Sequence, residues 1–291
     1  MSRCTLCAEV SVNGLALYLC TKKTVESALF ALPEGAFGDA KRMAEPARKW
    51  LAQKASRRIS SAVVLANTRR TALRFAKLTE EAAESTNKKP RLARSVGFKT
   101  ERKSRDLSAY YRALFPYGEL FNEATHVFGG EALPGKRADV LFLAALPTGL
   151  AEAFTGMCGE WGVPLRALKR ISALELALLK YFPSAETAYT LLCLPQDNGV
   201  RLIHIRDGEP DCAGFISDDP AYRERELDRA FWARTYAPEN ETALILLPAL
   251  LPVEETGERY GWLRVYFEAK GIGCETSSIP ERIYVDAARE H

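Results

Sequence analysis

Two stretches of the chain repeat one demanding pattern: three short strands joined by tight turns, followed at once by a helix. The first begins with alternation from Cys4 to Val12, a turn at Asn13-Gly14, a second strand Leu15–Thr21 and a third near Ser27–Pro33. Asn-Gly suits a two-residue hairpin because both central positions tolerate positive φ. A helix Asp39–Ala55, with Met43, Ala47, Trp50 and Leu51 at three- and four-residue spacing, then leads to the apolar strand Ala62–Ala66. The second copy opens on LLCLPQDNGVRLIHIRDGEPDCAGFIS, residues 191–217, with strands at Ala188–Leu194, Arg201–Arg206 and Cys212–Ile216. Helix Pro220–Tyr236, strand Ala243–Leu247, helix Glu254–Lys270, strand Gly273–Ser277 and a short helix from Arg282 complete it.

The first copy resumes late, with strand Leu165–Ile171 and helix Ala173–Tyr181. The expected fold is therefore α/β, two βββαβαβα lobes with a small α+β subdomain inserted in lobe one. The boundaries read as 1–67 plus 164–183 for lobe one, 68–163 for the insert and 184–291 for lobe two. Within the insert the pattern predicts an amphipathic segment Leu107–Phe115, strands Thr125–Phe128 and Asp139–Leu146, and helix Thr148–Trp161. A chain of 291 residues with 47% apolar content is long enough for two such cores.

The longest apolar runs, Val140–Leu146 and Ala243–Leu251, fall short of the roughly 20 residues that cross a bilayer. The N-terminal residues alternate too early for a signal peptide, so the expected location is the cytoplasm. A net charge of +3 implies no strong steering field. Seven scattered cysteines suit reduced thiols rather than a disulfide framework. Cys4 and Cys7 form a CxxC, but positions three apart on a strand face opposite sides, and no second ligand pair accompanies them. No metal site is expected.

Residues 137–182, RADVLFLAALPTGLAEAFTGMCGEWGVPLRALKRISALELALLKYF, carry a more specific texture. They resemble the segment of PilM-type pilus proteins in which a strand, a helix ending near Gly-x-x-Pro, a short strand and a second helix close the first lobe. VRLIHIRDGEPDCAGFIS resembles the second-lobe hairpin of the same family, with Arg206-Asp207-Gly208 at its turn. The resemblance implies the duplicated ribonuclease-H-like fold of the actin, sugar-kinase and chaperone ATPase superfamily. PilM and its secretion-system relative GspL are scaffolds at the inner membrane, and PilM binds a short cytoplasmic peptide of its membrane partner.

Active members of the superfamily hold nucleotide with a D-x-G hairpin in each lobe and adjacent glycines near the adenosine. Carboxylates organise Mg²⁺, and glycine leaves backbone N–H groups free to surround phosphate. Matching those motifs places Glu9 and Ser11 at the first Asp and Gly, and Leu194-Pro195-Gln196 at the second turn. Pro248-Ala249 stands at the glycine pair, where proline offers no donor and alanine adds a Cβ. Glu9 reads as a solvated strand residue, and Asp197-Asn198-Gly199 as ordinary turn chemistry. These positions, Glu9, Ser11, Asp197, Pro248 and Ala249, are at most a vestigial nucleotide site. No catalytic residue and no cofactor are expected.

Residues 87–105 hold eight Lys or Arg against one Glu, with Phe98 the one aromatic, so they lack the interleaved rings of a single-strand stacking platform. A solvated loop is the plainer reading, and nucleic acid is disfavoured as a partner. His126, His204 and His291 are scattered, and Arg223, Glu226 and Arg229 read as an exposed i,i+3 network. The leading expectation is a non-catalytic actin-like scaffold of a type IV pilus or type II secretion platform. Its partner would be an inner-membrane platform protein, held through a short cytoplasmic peptide that draws the chain peripherally to the membrane; self-association is left open. The alternatives are a divergent ATPase or sugar-kinase relative using Glu9 and Asp197 around Mg²⁺, and a nucleic-acid adaptor working through 87–105.

Overall fold

The structure is a computed structural model, and it describes residues 4–21, 24–54, 58–77, 115, 121–122, 124–133, 140–169, 191–196, 199–206, 209–232, 242–247, 253–279 and 281–289. Strands β1 (Cys4–Val10), β2 (Gly14–Cys20) and β3 (Val25–Ala31) form an antiparallel meander. Helix α1 (Ala40–Gln53) follows, started by Asp39, whose carboxylate accepts from the Arg42 backbone N–H at 3.0 Å. It leads to β4 (Ile59–Ala66), which returns parallel to β1. Later in the chain, α2 (Thr148–Glu160) and β8 (Leu165–Lys169) extend the same sheet, giving the order β3-β2-β1-β4-β8.

A second five-stranded sheet has the order β11-β10-β9-β12-β13, the same path traced by later residues. It is built from β9 (Leu191–Gln196), β10 (Gly199–Arg206), β11 (Glu209–Ser217), β12 (Thr242–Leu247) and β13 (Gly273–Ser278). Its helices are α3 (Arg223–Trp232) and α4 (Val253–Ala269), and the chain's final helix is α5 (Arg282–Arg289). The third sheet, β5-β7-β6, is antiparallel and consists of β5 (Ala72–Lys77), β6 (His126–Leu133) and β7 (Val140–Pro147).

Strand alternation sends successive side chains into different cores. Leu6, Ala8, Leu17 and Val64 pack beneath α1 and α2, whereas Cys7, Tyr18 and Leu65 face the opposite way. In the second sheet, Leu191, Cys193 and Leu202 meet Leu227 of α3 and Leu263 and Phe267 of α4, while Leu192, Leu194 and Ile203 face inward. The inward residues of both sheets join Phe142 and Leu73 of the third sheet and Ile283, Tyr284 and Ala287 of α5 in one shared core. The last helix of the chain thus lies against β1, β2 and β4 of the first sheet.

Three elements depart from expectation. The helix expected at the end of the insert, Thr148–Trp161, buries Leu150, Phe154 and Met157 with Met43 and Ala47 of α1, so it packs as part of the first sheet's core. Two contacts fix it: the Trp161 indole donates to the Ala44 carbonyl at 3.0 Å, and a Cβ on Gly156 would lie 2.9 Å from that of Ala40. β5 was hidden by the cations around it, although Leu73 and Phe75 keep the alternation that puts them against the shared core. The charges on α3 form no simple exposed network. Glu226 accepts from the Ser217 backbone N–H at 2.8 Å, and the Arg223 guanidinium lies 4.8 Å from the Trp262 ring centre.

Candidate functional site: the seam between the sheets

The inward faces of the two large sheets meet along a seam, and the first two stretches matched to nucleotide motifs lie in β1 with its hairpin and in β9. In the first hairpin, the Ser11 N–H donates to the Gly14 carbonyl at 2.9 Å, and the Ser11 hydroxyl accepts from the Gly14 N–H at 3.0 Å. Ser11 therefore closes the turn on itself and spends the donors that a glycine-rich loop would aim at phosphate.

Glu9 corrects the sequence reading. It is buried, at 6% exposure, rather than solvated. One carboxylate oxygen accepts from the Asn67 amide at 3.1 Å and the other from the Tyr284 hydroxyl at 2.7 Å. Burial of an anion is costly unless donors surround it, and these two come from positions 58 and 275 residues away. Tyr284 stacks on Tyr18 with ring centres 3.7 Å apart and planes 14° from parallel. Burial first, and then the Glu9 charge, push the Tyr284 phenol well above its ordinary range, so it stays protonated and donates.

Leu194-Pro195-Gln196, matched to the second phosphate turn, is not a loop. All three residues are buried in β9 and lie opposite Arg201, Val200 and Gly199 of β10 in the antiparallel ladder. The Gln196 carbonyl accepts from the Tyr260 hydroxyl at 2.8 Å. Arg201, 4% exposed, reaches from β10 to the segment after β4 and donates to the Thr71 carbonyl at 3.0 Å. A buried guanidinium is stable only with such donors engaged, and here it joins the second sheet to the segment between β4 and β5. At the far side, Arg166 of β8 donates to the Ala288 carbonyl near the end of α5, where the helix dipole favours a cation.

Of the positions singled out in the sequence, Glu9 lies at the seam and Ser11 closes the hairpin beyond β1. Asp197, Pro248 and Ala249 lie outside the described residues, as does the basic stretch 87–105. Cys4 and Cys7 enter different cores, and burial raises the Cys7 thiol well above its usual range. Sequence reasoning passed over Arg201, Tyr284 and Asn67. Arg201 had left a trace, a cation in the middle of the apolar run VRLI.

The sequence matches no protein-family model and no curated protein. The fold is similar to that of the cytoplasmic domain of EpsL, an inner membrane component of the type II secretion system of Vibrio cholerae. That match has a TM-score of 0.52 at 12% identity and covers 99% of this chain and 94% of that one. A chain of the PilM–PilN type IV pilus biogenesis complex is similar with a TM-score of 0.54 at 14% identity, covering 98% of this chain and 94% of that one. Among the described residues no helix is long and apolar enough to cross a membrane. The paired sheets, the late return of α5 to the first sheet and these likenesses together give the chain the α/β actin-like ATPase fold, in the form seen in EpsL and PilM.

Proposed function

We propose that this chain is a non-catalytic scaffold of the PilM and GspL kind, working by protein binding at a type IV pilus or type II secretion platform. The observation that carries this reading is the filled seam. Glu9 is committed to Asn67 and Tyr284, and the residues matched to the second phosphate turn are ladder positions in a buried strand. The buried Arg201 contact and the apolar core lie along the same seam. The likeness to EpsL and to a chain of the PilM–PilN complex supports an inner-membrane platform protein as the partner; a short cytoplasmic peptide as its binding element is our reading from the sequence resemblance.

The test has two arms. Added ATP with millimolar Mg²⁺ is expected to leave the melting temperature unchanged, whereas a ligand at ~100 times its Kd would stabilise by about 2.7 kcal/mol, a shift of several degrees. Cytoplasmic peptides from inner-membrane platform proteins are expected to give a saturable calorimetric signal. Saturable ATP binding abolished by Asp197→Ala would overturn the scaffold reading in favour of a divergent ATPase.

A further inference from the structure

Among the outer strands of the two five-stranded sheets, β3 is the one left regular and short of charge. Edges are ordinarily blunted by charge, proline, bulges or cover, because bare N–H and C=O groups pair with any strand that meets them. β8 is five residues long and carries Arg166 and Lys169; β13 is mostly polar around Glu275. β11 contains Pro210, has a register irregularity against β10 and lies against β5. β3, VESALFA, pairs with β2 without irregularity, and its one charge, Glu26, is held by Lys54 at 2.8 Å. Leu29 is nevertheless 51% exposed.

The ladder tells which backbone groups are bare. Thr21 N–H donates to the Thr24 carbonyl and Leu32 N–H to the Asn13 carbonyl, so the even-numbered residues of β3 point their backbone toward β2. Val25, Ser27, Leu29 and Ala31 therefore point theirs outward. This set is self-complementary. An antiparallel copy related by a two-fold axis through Ala28 brings Val25 opposite Ala31 and Ser27 opposite Leu29, so every outward residue meets an outward residue in a hydrogen-bonded pair. About eight inter-chain hydrogen bonds result, two for each of the four pairs. Ala28 meets its own copy at the non-hydrogen-bonded position, where side chains crowd most and a methyl fits. Glu26 comes opposite Phe30, leaving the two carboxylates several residues apart, whereas a parallel copy would set them side by side. The two Leu29 side chains become diagonal neighbours on one face.

We propose that β3 is a self-association edge, through which two copies of this chain join their first sheets antiparallel about Ala28. One strand pair makes a small interface, so the dimer belongs to the weak, roughly micromolar class. This inference is independent of the scaffold reading and survives or fails without it.

Sedimentation velocity on the full chain from about 1 to about 200 µM is expected to show a monomer–dimer equilibrium. Leu29→Lys, on an exposed side chain, is expected to raise the dimer dissociation constant about tenfold or more by setting two cations diagonally across the axis. Ala28→Cys is expected to give an oxidised covalent dimer, since non-hydrogen-bonded partners lie ~4.5 Å apart at Cα, within disulfide range. Ser27→Cys, which faces Leu29 instead of its own copy, is expected to cross-link far less. A monomer across the whole range, an unchanged dissociation constant in Leu29→Lys, or equal cross-linking at 27 and 28 would each overturn the proposal. So would a β3 edge that pairs with a partner's strand while the chain stays monomeric.

Discussion

β3 and β11 hold the same place in their sheets, each the third strand of its meander and the outermost in order, yet they are finished in opposite ways. β11 carries proline and lies against the insert's β5, whereas β3 is regular, short of charge and, among the described residues, bare. The contrast recurs wherever the two sheets can be matched. Each central strand ends at a tyrosine hydroxyl: Tyr284 donates to the Glu9 carboxylate beside β2, and Tyr260 to the Gln196 backbone carbonyl beside β10. Each second strand opens on a glycine, Gly14 or Gly199. One topology has been secured twice with different chemistry, so equivalent substitutions should have unequal consequences.

The largest inequality is expected at the glycines. A Cβ on Gly199 would fall 2.1 Å from the Ile216 carbonyl oxygen and against the Phe215 ring, so β10 and β11 would have to separate. A Cβ on Gly14 would sit 3.4 Å from the Phe30 carbonyl oxygen. Gly199→Ala is expected to cost about 3 kcal/mol or more, and Gly14→Ala under about 1 kcal/mol. Urea unfolding of the two variants checks this, and equal midpoints would show that the two meanders are not packed as differently as the geometry states.

Next come the tyrosines. Tyr284→Phe leaves a buried carboxylate short of one donor, which should cost about 1.5–3 kcal/mol, the range for bonds to charged groups. Tyr260→Phe leaves a neutral carbonyl short of one, worth about 0.5–1.5 kcal/mol. If Tyr284→Phe is the milder of the two, Glu9 is protonated or hydrated in solution, and the comparison between the central strands loses its electrostatic half.

Why the sheets were legible and their fastenings were not follows from the range of the interactions. Alternation in CTLCAEV and GLALYLC and the spacing of Met43, Ala47 and Leu51 are local signals, and each led to an observed element; Asn-Gly marked the hairpin, but Val12 and Asn13 form its centre and Gly14 opens β2. Helix α2 was placed by its own periodicity, but the core it joins is set by Met43 and Ala47, more than 100 residues earlier. Glu9 read as solvated because a glutamate on a strand ordinarily is; its two donors come from β4's end and from α5, which no window around residue 9 contains. Arg201 lies 130 residues from its acceptor Thr71. Fold class lives in short-range pattern, whereas the filling of the seam lives in contacts that only the fold creates.

The smallest expected difference between the sheets is in their response to alkali. Burial first, reinforced by the Glu9 charge, raises the Tyr18 phenol above its ordinary value near 10. A group whose pKa is higher folded than unfolded holds its proton longer in the native state, so its stabilisation is fully present below the unfolded pKa. Above pH about 10 the unfolded chain releases that proton while the native seam retains it, and stability falls by up to about 1.4 kcal/mol per pH unit for this one phenol. Tyr18→Phe keeps the ring stacked on Tyr284 and removes the titrating group. The stability gap between the wild type and this variant is therefore expected to be constant from pH 8 to about 9.5 and then to move in the variant's favour toward pH 11. Comparing two proteins that share every lysine and every other tyrosine cancels the rest of the alkaline titration. Tyr266, on α4 against the second sheet, is raised by burial and by its bond to Asp228, a carboxylate partly open to water, and Tyr266→Phe should move the gap less. Urea midpoints at three pH values decide it: a gap for Tyr18→Phe that stays flat through pH 11 would mean the seam opens to solvent before the phenol ionises.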